Sequence, residues 1–225
     1  MVKMKKIVID NNLLLFCPDL HLGCIEYSVN IENGSLKLWN EISNQINIIR
    51  KNIELNDIIK IKNINDSRSL YKKIGKDPYK YRISSEALLR RIIQGKGLYK
   101  INNVVDVNNL ISIKSKLSVG SYDIDKLGEF ITFRIGEKGE SYNGIGKGII
   151  NIENLPVFAD EFGVYGSPTS DSERAMISDK TKNVLTVLIA FSKDSGLEEH
   201  LEDAVMACRT YVEAQNVHSY IITGI

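Results

Sequence analysis

The 225-residue sequence predicts an α+β fold: one compact domain with a mixed β-sheet core flanked by helices. Three observations carry that expectation. Val184–Ala190 is an unbroken apolar, β-branched run, the pattern of a strand covered on both faces. Two longer stretches, from Ser35 to Ile49 and from Gly196 to Val212, repeat apolar residues at helical spacing instead. Strand-like and helix-like runs follow one another without a steady βαβ rhythm, which favours α+β over a doubly wound sheet.

Taken in order, Lys6–Ile9 and Leu13–Phe16 read as short strands about an Asp10-Asn11-Asn12 turn, and Leu22–Val29 as another strand. Ser35 is placed to N-cap a helix carrying Leu38, Trp39, Ile42, Ile46 and Ile49, with one face on a sheet and Trp39 in the core. A short helix spans Ser67 to Ile74 and stops at Gly75-Lys76-Asp77-Pro78, because proline and its predecessor resist helix. Ser84 or Ser85 caps the next helix, which runs to Ile93 with Arg90 and Arg91 partly outward. Val104–Val107 reads as a strand bearing the carboxylate of Asp106, and Leu110–Leu117 as a short helix or extended segment. Gly120 and Asp123 mark a turn before the alternating strand Phe130–Ile135. The glycine-rich stretch Glu137–Gly148 is a hairpin loop: strand-like Ile149–Ile152 follows it, whereas a phosphate cradle needs a helix N-terminus behind it. Val157–Glu161 and Val164-Tyr165 lead into the polar stretch that closes on Phe191, Gly196 opens the last helix, and Tyr220–Ile222 is a final strand.

The composition, 43% hydrophobic and 25% charged, is that of an ordinary globular chain, and no apolar run is long enough to span a bilayer. The basic start Met1–Lys6 leads into Ile7-Val8-Ile9, but Asp10-Asn11-Asn12 breaks any signal-peptide core, so a cytoplasmic location is expected. Cys17, Cys24 and Cys208 form no CxxC pair and read as buried thiols in a reducing compartment. Cys17, His21 and Cys24 lie close in sequence, yet they match no zinc spacing and no fourth ligand is apparent, so neither metal nor cofactor is expected.

A net charge of +1 conceals an asymmetry. Between Lys60 and Lys100, twelve Lys and Arg face three acidic residues; from Asn151 onward, twelve Asp and Glu face five basic ones. Tyr71, Tyr79, Tyr81 and Tyr99 are interleaved with the basic residues. Such a mixture suits a surface that holds phosphates and stacks bases, which nominates Lys72, Lys73, Lys80, Arg82, Arg90 and Arg91 as RNA-binding residues. The plainer reading is a solvated helical face whose basic side chains lie over tyrosines. The first hundred residues then form an N-terminal part with this basic helical region, and residues 101–225 form the core that carries the pocket.

The densest chemistry lies between Val164 and Phe191, where Thr169-Ser170-Asp171-Ser172-Glu173-Arg174 leads into the buried strand. Asp171 and Ser172 are candidate catalytic residues that would orient a water, and Arg174 would hold a phosphate or carboxylate. The plainer alternative pairs Asp171 with Arg174 to brace the loop and uses Ser172 for backbone amides. His21, His200 and His218 stand in unrelated contexts, so a Ser/His/Asp triad is not supported.

Four segments in order carry a family resemblance: Asn103–Asn109, Tyr122–Leu127, Phe133–Glu140, and Phe158 through Phe191 with Thr181-Lys182-Asn183. Together they resemble the B3/B4 domain of the phenylalanyl-tRNA synthetase β subunit. The first hundred residues, including Ser84–Arg91, look more like stand-alone B3/B4 proteins, so the resemblance covers essentially the whole chain. It implies an α+β module that, in the synthetase, hydrolyses tyrosine wrongly attached to the tRNA for phenylalanine. By position, Asn109 and Gly166 match pocket residues, Thr181 and Asn183 match a motif orienting the last strand, and Asn108 replaces a pocket threonine. The family's pocket glutamate falls at Val187 and its pocket histidine at Gly120. Losing the group that reads a tyrosine hydroxyl argues against tyrosine specificity. The expected function is a tRNA-binding protein of B3/B4 type, with tRNA or aminoacyl-tRNA as partner, that acts in trans as an aminoacyl-tRNA deacylase of other specificity. The alternatives are a module that binds a free amino acid or similar small ligand without RNA, and a structural or protein-interaction module.

Overall fold

The computed structural model describes residues 5–224; of the basic start, Met1–Met4 lie outside the described residues. The fold is α+β. Its elements are β1 (Lys6–Ile9), α1 (Asn11–Phe16), β2 (His21–Ser28), α2 (Leu36–Asn52), α3 (Lys62–Lys73), α4 (Ser84–Ile93), α5 (Asn103–Ser115), β3 (Ser118–Asp123) and β4 (Phe130–Ile135). They continue with β5 (Ser141–Gly144), β6 (Gly148–Asn151), β7 (Pro156–Asp160), β8 (Gly163–Gly166), β9 (Asn183–Ala190), α6 (Leu197–Tyr211) and β10 (Gln215–Thr223).

The β-sheet core consists of two four-stranded sheets, with β5 and β6 forming a separate two-stranded sheet. One has the order β1-β4-β7-β8 and is mixed, because β1 runs parallel to β4 while its other pairs are antiparallel. The other, β10-β2-β9-β3, is antiparallel throughout. Leu185, Val187 and Ile189 of β9 point into the core between the sheets, with Phe133, Phe158 and Tyr165 from the mixed sheet. Val184, Leu188 and Ala190 point the other way, into a core shared with α2, α5 and α6. That double cover is why β9 is apolar at nearly every position. A third cluster packs α2, α3 and α4 against Val157 of β7 and Tyr142 of β5.

Several local expectations are corrected. Asp10 does not turn a hairpin: its carboxylate accepts from the Asn12 N–H (2.9 Å) and caps α1. Val104–Val107 is helical, because Asn102 caps α5 through the Val105 N–H (2.9 Å) and the helix is enclosed on most of its circumference. Asp106 sits on that helix, accepting from Trp39 Nε1 (2.9 Å) and the Ile101 N–H (3.0 Å). Trp39 is therefore half-buried at a helix junction, and α2 packs chiefly on α4 and α5. Gly120 lies mid-strand in β3 opposite Val187 and marks no turn. Neither Ser84 nor Ser85 caps α4, whose capping position is Ile83; the Ser84 N–H instead donates to Pro168 O at 2.7 Å. All three cysteines are free and buried, and Cys17 Sγ donates to Phe191 O.

Candidate functional site

The polar loop after β8 is held by tyrosines from three elements. Tyr71 of α3 meets Thr169 Oγ1 at 2.9 Å, Tyr142 of β5 donates to Ser170 O and to Ser167 Oγ, and Tyr122 of β3 donates to Asp171 Oδ1 at 2.9 Å. The loop also bonds to itself: Ser167 Oγ donates to Ser170 O, and the Ser167 N–H donates to Asp171 Oδ1. The tip of the β5–β6 hairpin closes over this loop, with the Ile145 N–H on Asp171 O and Gly144 bridged to Ser172. In the sequence Tyr122 stands out only as part of one of the four resembling segments, and Tyr71 only among the tyrosines of the expected base-stacking surface; Tyr71 is instead fully buried against the loop.

Asp171 keeps some exposure as a residue, but burial of its carboxyl pushes its pKa up to about 6. The bonds from Tyr122 and the Ser167 N–H, and the charge of Lys147, work in the opposite direction. Burial and the neighbouring Asp171 hold the Tyr122 hydroxyl well above its ordinary range, so it remains the donor. Arg174 does not pair with Asp171. Its Nη2 donates to Asp160 Oδ1 (2.8 Å) and Gly163 O, its Nη1 to Lys126 O, and its guanidinium lies over Tyr165. Ser172 Oγ accepts from the Arg174 N–H and caps a short 3₁₀ turn. Asp171, Ser172, Arg174 and Gly166 are thus one neighbourhood, with Asp160 as the arginine's acid.

The remaining substrate-binding candidates lie elsewhere. Tyr122 and Ser121 point to opposite faces of β3, because side chains alternate along a strand. Tyr122 faces the loop, whereas Ser121 Oγ faces α5 and donates to Asn108 Oδ1 (2.9 Å), continuing through Thr186 Oγ1 to Tyr27. Asn108 and Asp171 are therefore separated by the sheet; Asn109 follows on α5, partly exposed. Thr181 Oγ1 donates to Asp123 Oδ2 at 2.8 Å, and Asn183 Nδ2 donates to the Asp125 carboxylate. Both ties fasten the start of β9 to the end of β3.

Gly120 and Gly166 come together on the loop side. A Cβ at Gly120 would lie 2.3 Å from the Tyr122 hydroxyl oxygen, and one at Gly166 2.4 Å from the same atom. Contacts that short do not occur between real side chains, so the phenol occupies the space between the two backbones.

The basic helical region is largely paired internally. Glu86, fully buried, accepts from Arg68 Nη1 (3.0 Å) and Arg90 Nε (2.8 Å), with Arg82 at 4.0 Å. Arg68 also lies over Tyr79, Lys76 over Tyr81 and Arg91 over Tyr99. Lys72, Lys73 and Lys80 are exposed, with Lys73 reaching Phe16 O. The region nevertheless adjoins the polar loop, through Tyr71 on Thr169 and the Ser84 N–H on Pro168 O.

A family model for the B3/4 domain matches residues 66–199, more than half of the chain. The chain belongs to the B3/4 domain family. The match runs from α3 into α6 and is narrower than the whole-chain resemblance read from the sequence; β1, β2, α2 and β10 lie outside it. The phenylalanine–tRNA ligase β subunit of Fusobacterium nucleatum subsp. nucleatum is 27% identical over 110 residues, 48% of this chain and 14% of that subunit. A crystal structure of an N-terminal fragment of the phenylalanyl-tRNA synthetase β subunit from Pyrococcus horikoshii aligns with a TM-score of 0.46 at 12% identity, over 98% of this chain and 56% of that one. This B3/4 chain spans a small part of the curated relative and little more than half of the solved fragment. Among the described residues, no helix is long and apolar enough to cross a membrane.

Proposed function

We propose that this B3/4 protein binds tRNA, with the exposed lysines of the 72–82 stretch on the phosphate backbone and the polar loop at 167–174 beside them. The observation that carries this is the junction between the two: Tyr71 and Ser84, at either end of the basic stretch, are bonded to Thr169 and Pro168 of the loop. Membership of the B3/4 family and a relative named for tRNA ligation support the same class of partner. The reading extends to release of an amino acid from a mischarged tRNA, since an aminoacyl ester needs only a well-placed water. Asp171 and Ser172 are then the groups that would place it, while Arg174 and Asp160 hold the loop in shape.

The test is incubation with correctly and wrongly aminoacylated tRNAs, following retention of RNA and release of amino acid. Lys72→Ala with Lys80→Ala is expected to lower the slope of log affinity against log salt by roughly 2, as each lost phosphate contact removes about one unit. Arg90→Ala is expected to leave that slope unchanged, because Arg90 is engaged by Glu86. No retention on any tRNA would overturn the reading. A second reading, a small-ligand module without RNA affinity, is favoured by the internal pairing of Arg68, Arg90 and Arg91. It predicts a thermal shift with a free amino acid and none with tRNA.

A further inference from the structure

We infer that Tyr122 is the built-in occupant of a side-chain slot between β3, β8 and β9, and that it keeps an aromatic group of any ligand out. The slot has a recognisable construction. Its two side walls are backbone, at Gly120 and Gly166, where any Cβ would strike the phenol. Phe158 and Tyr165 meet the ring edge-on at centroid distances of 5.9 and 4.9 Å, and Val187 stands opposite Gly120 on β9. The far end carries a polar group, Asp171, which accepts the hydroxyl at 2.9 Å. Two bare backbones, aromatic walls and one terminal acceptor describe a receptor for a phenol, and the phenol present is the chain's own. The residue is 1% exposed, so nothing else shares the space.

The inference is independent of RNA binding, and its test involves no RNA. If Tyr122 fills the slot, an added methyl at Gly166 collides with it, and removing the ring removes the collision. Gly166→Ala is therefore expected to lower the melting temperature of the native protein by on the order of 5 °C, and to have little effect in a Tyr122→Ala background. Removing the ring leaves a cavity walled by Phe158, Tyr165 and Val187 and closed at one end by the Asp171 carboxyl, which a small phenol can enter. Phenol is accordingly expected to raise the melting temperature of Tyr122→Ala, to do so more than benzene because Asp171 reads the hydroxyl, and to leave the native protein unmoved. Should Tyr122→Ala not fold, Tyr122→Leu carries the same pair of measurements. Equal losses from Gly166→Ala in both backgrounds, or an equal phenol shift in native protein and variant, would overturn the occupancy. Equal shifts with phenol and benzene would overturn the role given to Asp171.

Discussion

Asp171 is a residue whose environment can be weighed by titration. Its carboxyl is held near 6, against about 4 for an exposed aspartate. Between those values the folded protein keeps a proton that the unfolded chain has released. The contribution of this group to stability is therefore greatest below about pH 4, falls as pH rises towards 6, and levels off above that. The loss is on the order of 3 kcal/mol. Asp171→Asn preserves an acceptor for Tyr122 and the Ser167 N–H while removing the buried charge. Urea midpoints from pH 4 to 7 should show the decline in the native protein and a flatter profile in the variant; parallel profiles would mean that the carboxyl is well hydrated. The same residue shows what local sequence conceals. Asp171 and Arg174, three apart, invite pairing, yet each finds its partner at longer range, in Tyr122 (49 residues away) and Asp160 (14 residues away).

Among the elements, the α3–α4 pair depends on a buried ionic knot. Glu86 is enclosed with Arg68 and Arg90, and Arg68 has a further acceptor in Pro78 O. Removing one member of such a group leaves the others charged and under-bonded, which costs more than the group contributed when intact. Glu86→Ala is expected to destabilise by roughly 3–5 kcal/mol, read from the urea midpoint, while Lys72→Ala on the same helical pair leaves it unchanged. A loss no greater than that of the lysine variant would show that the knot is solvated. Element type was legible where one physical signal dominated. β9 is buried on both faces and reads as continuous apolar sequence; α2 has one buried stripe and a Ser35 cap whose Oγ accepts from the Leu38 N–H. The first turn of α5 reads as a strand because a helix covered nearly all round loses its stripe, and Val104, Val105 and Val107 are β-branched. The signal that outweighs them is Asn102, a cap that propensity alone does not weigh.

For the whole molecule, the class of fold was legible from the alternation of periods, but the division into two sheets was not. It depends on β1 joining β4 across more than a hundred residues and on β10 returning to β2, pairings to which no local pattern points. The candidate site was half legible for the same reason. The polar loop announced itself by composition, whereas the side of β3 on which each partner falls is fixed only by strand register. That register has a practical bearing on how the family's boundaries are drawn. Residues 66–199 contain β9 but not β2, its neighbour over eight paired positions from His21–Ala190 to Ser28–Asn183. A fragment cut at those limits would display an eight-residue apolar ladder with free N–H and C=O groups, the template on which chains aggregate edge to edge. Expressed alone, it should sediment as aggregate where the full chain stays in solution, so the segments flanking the family match act as its built-in protection against self-association.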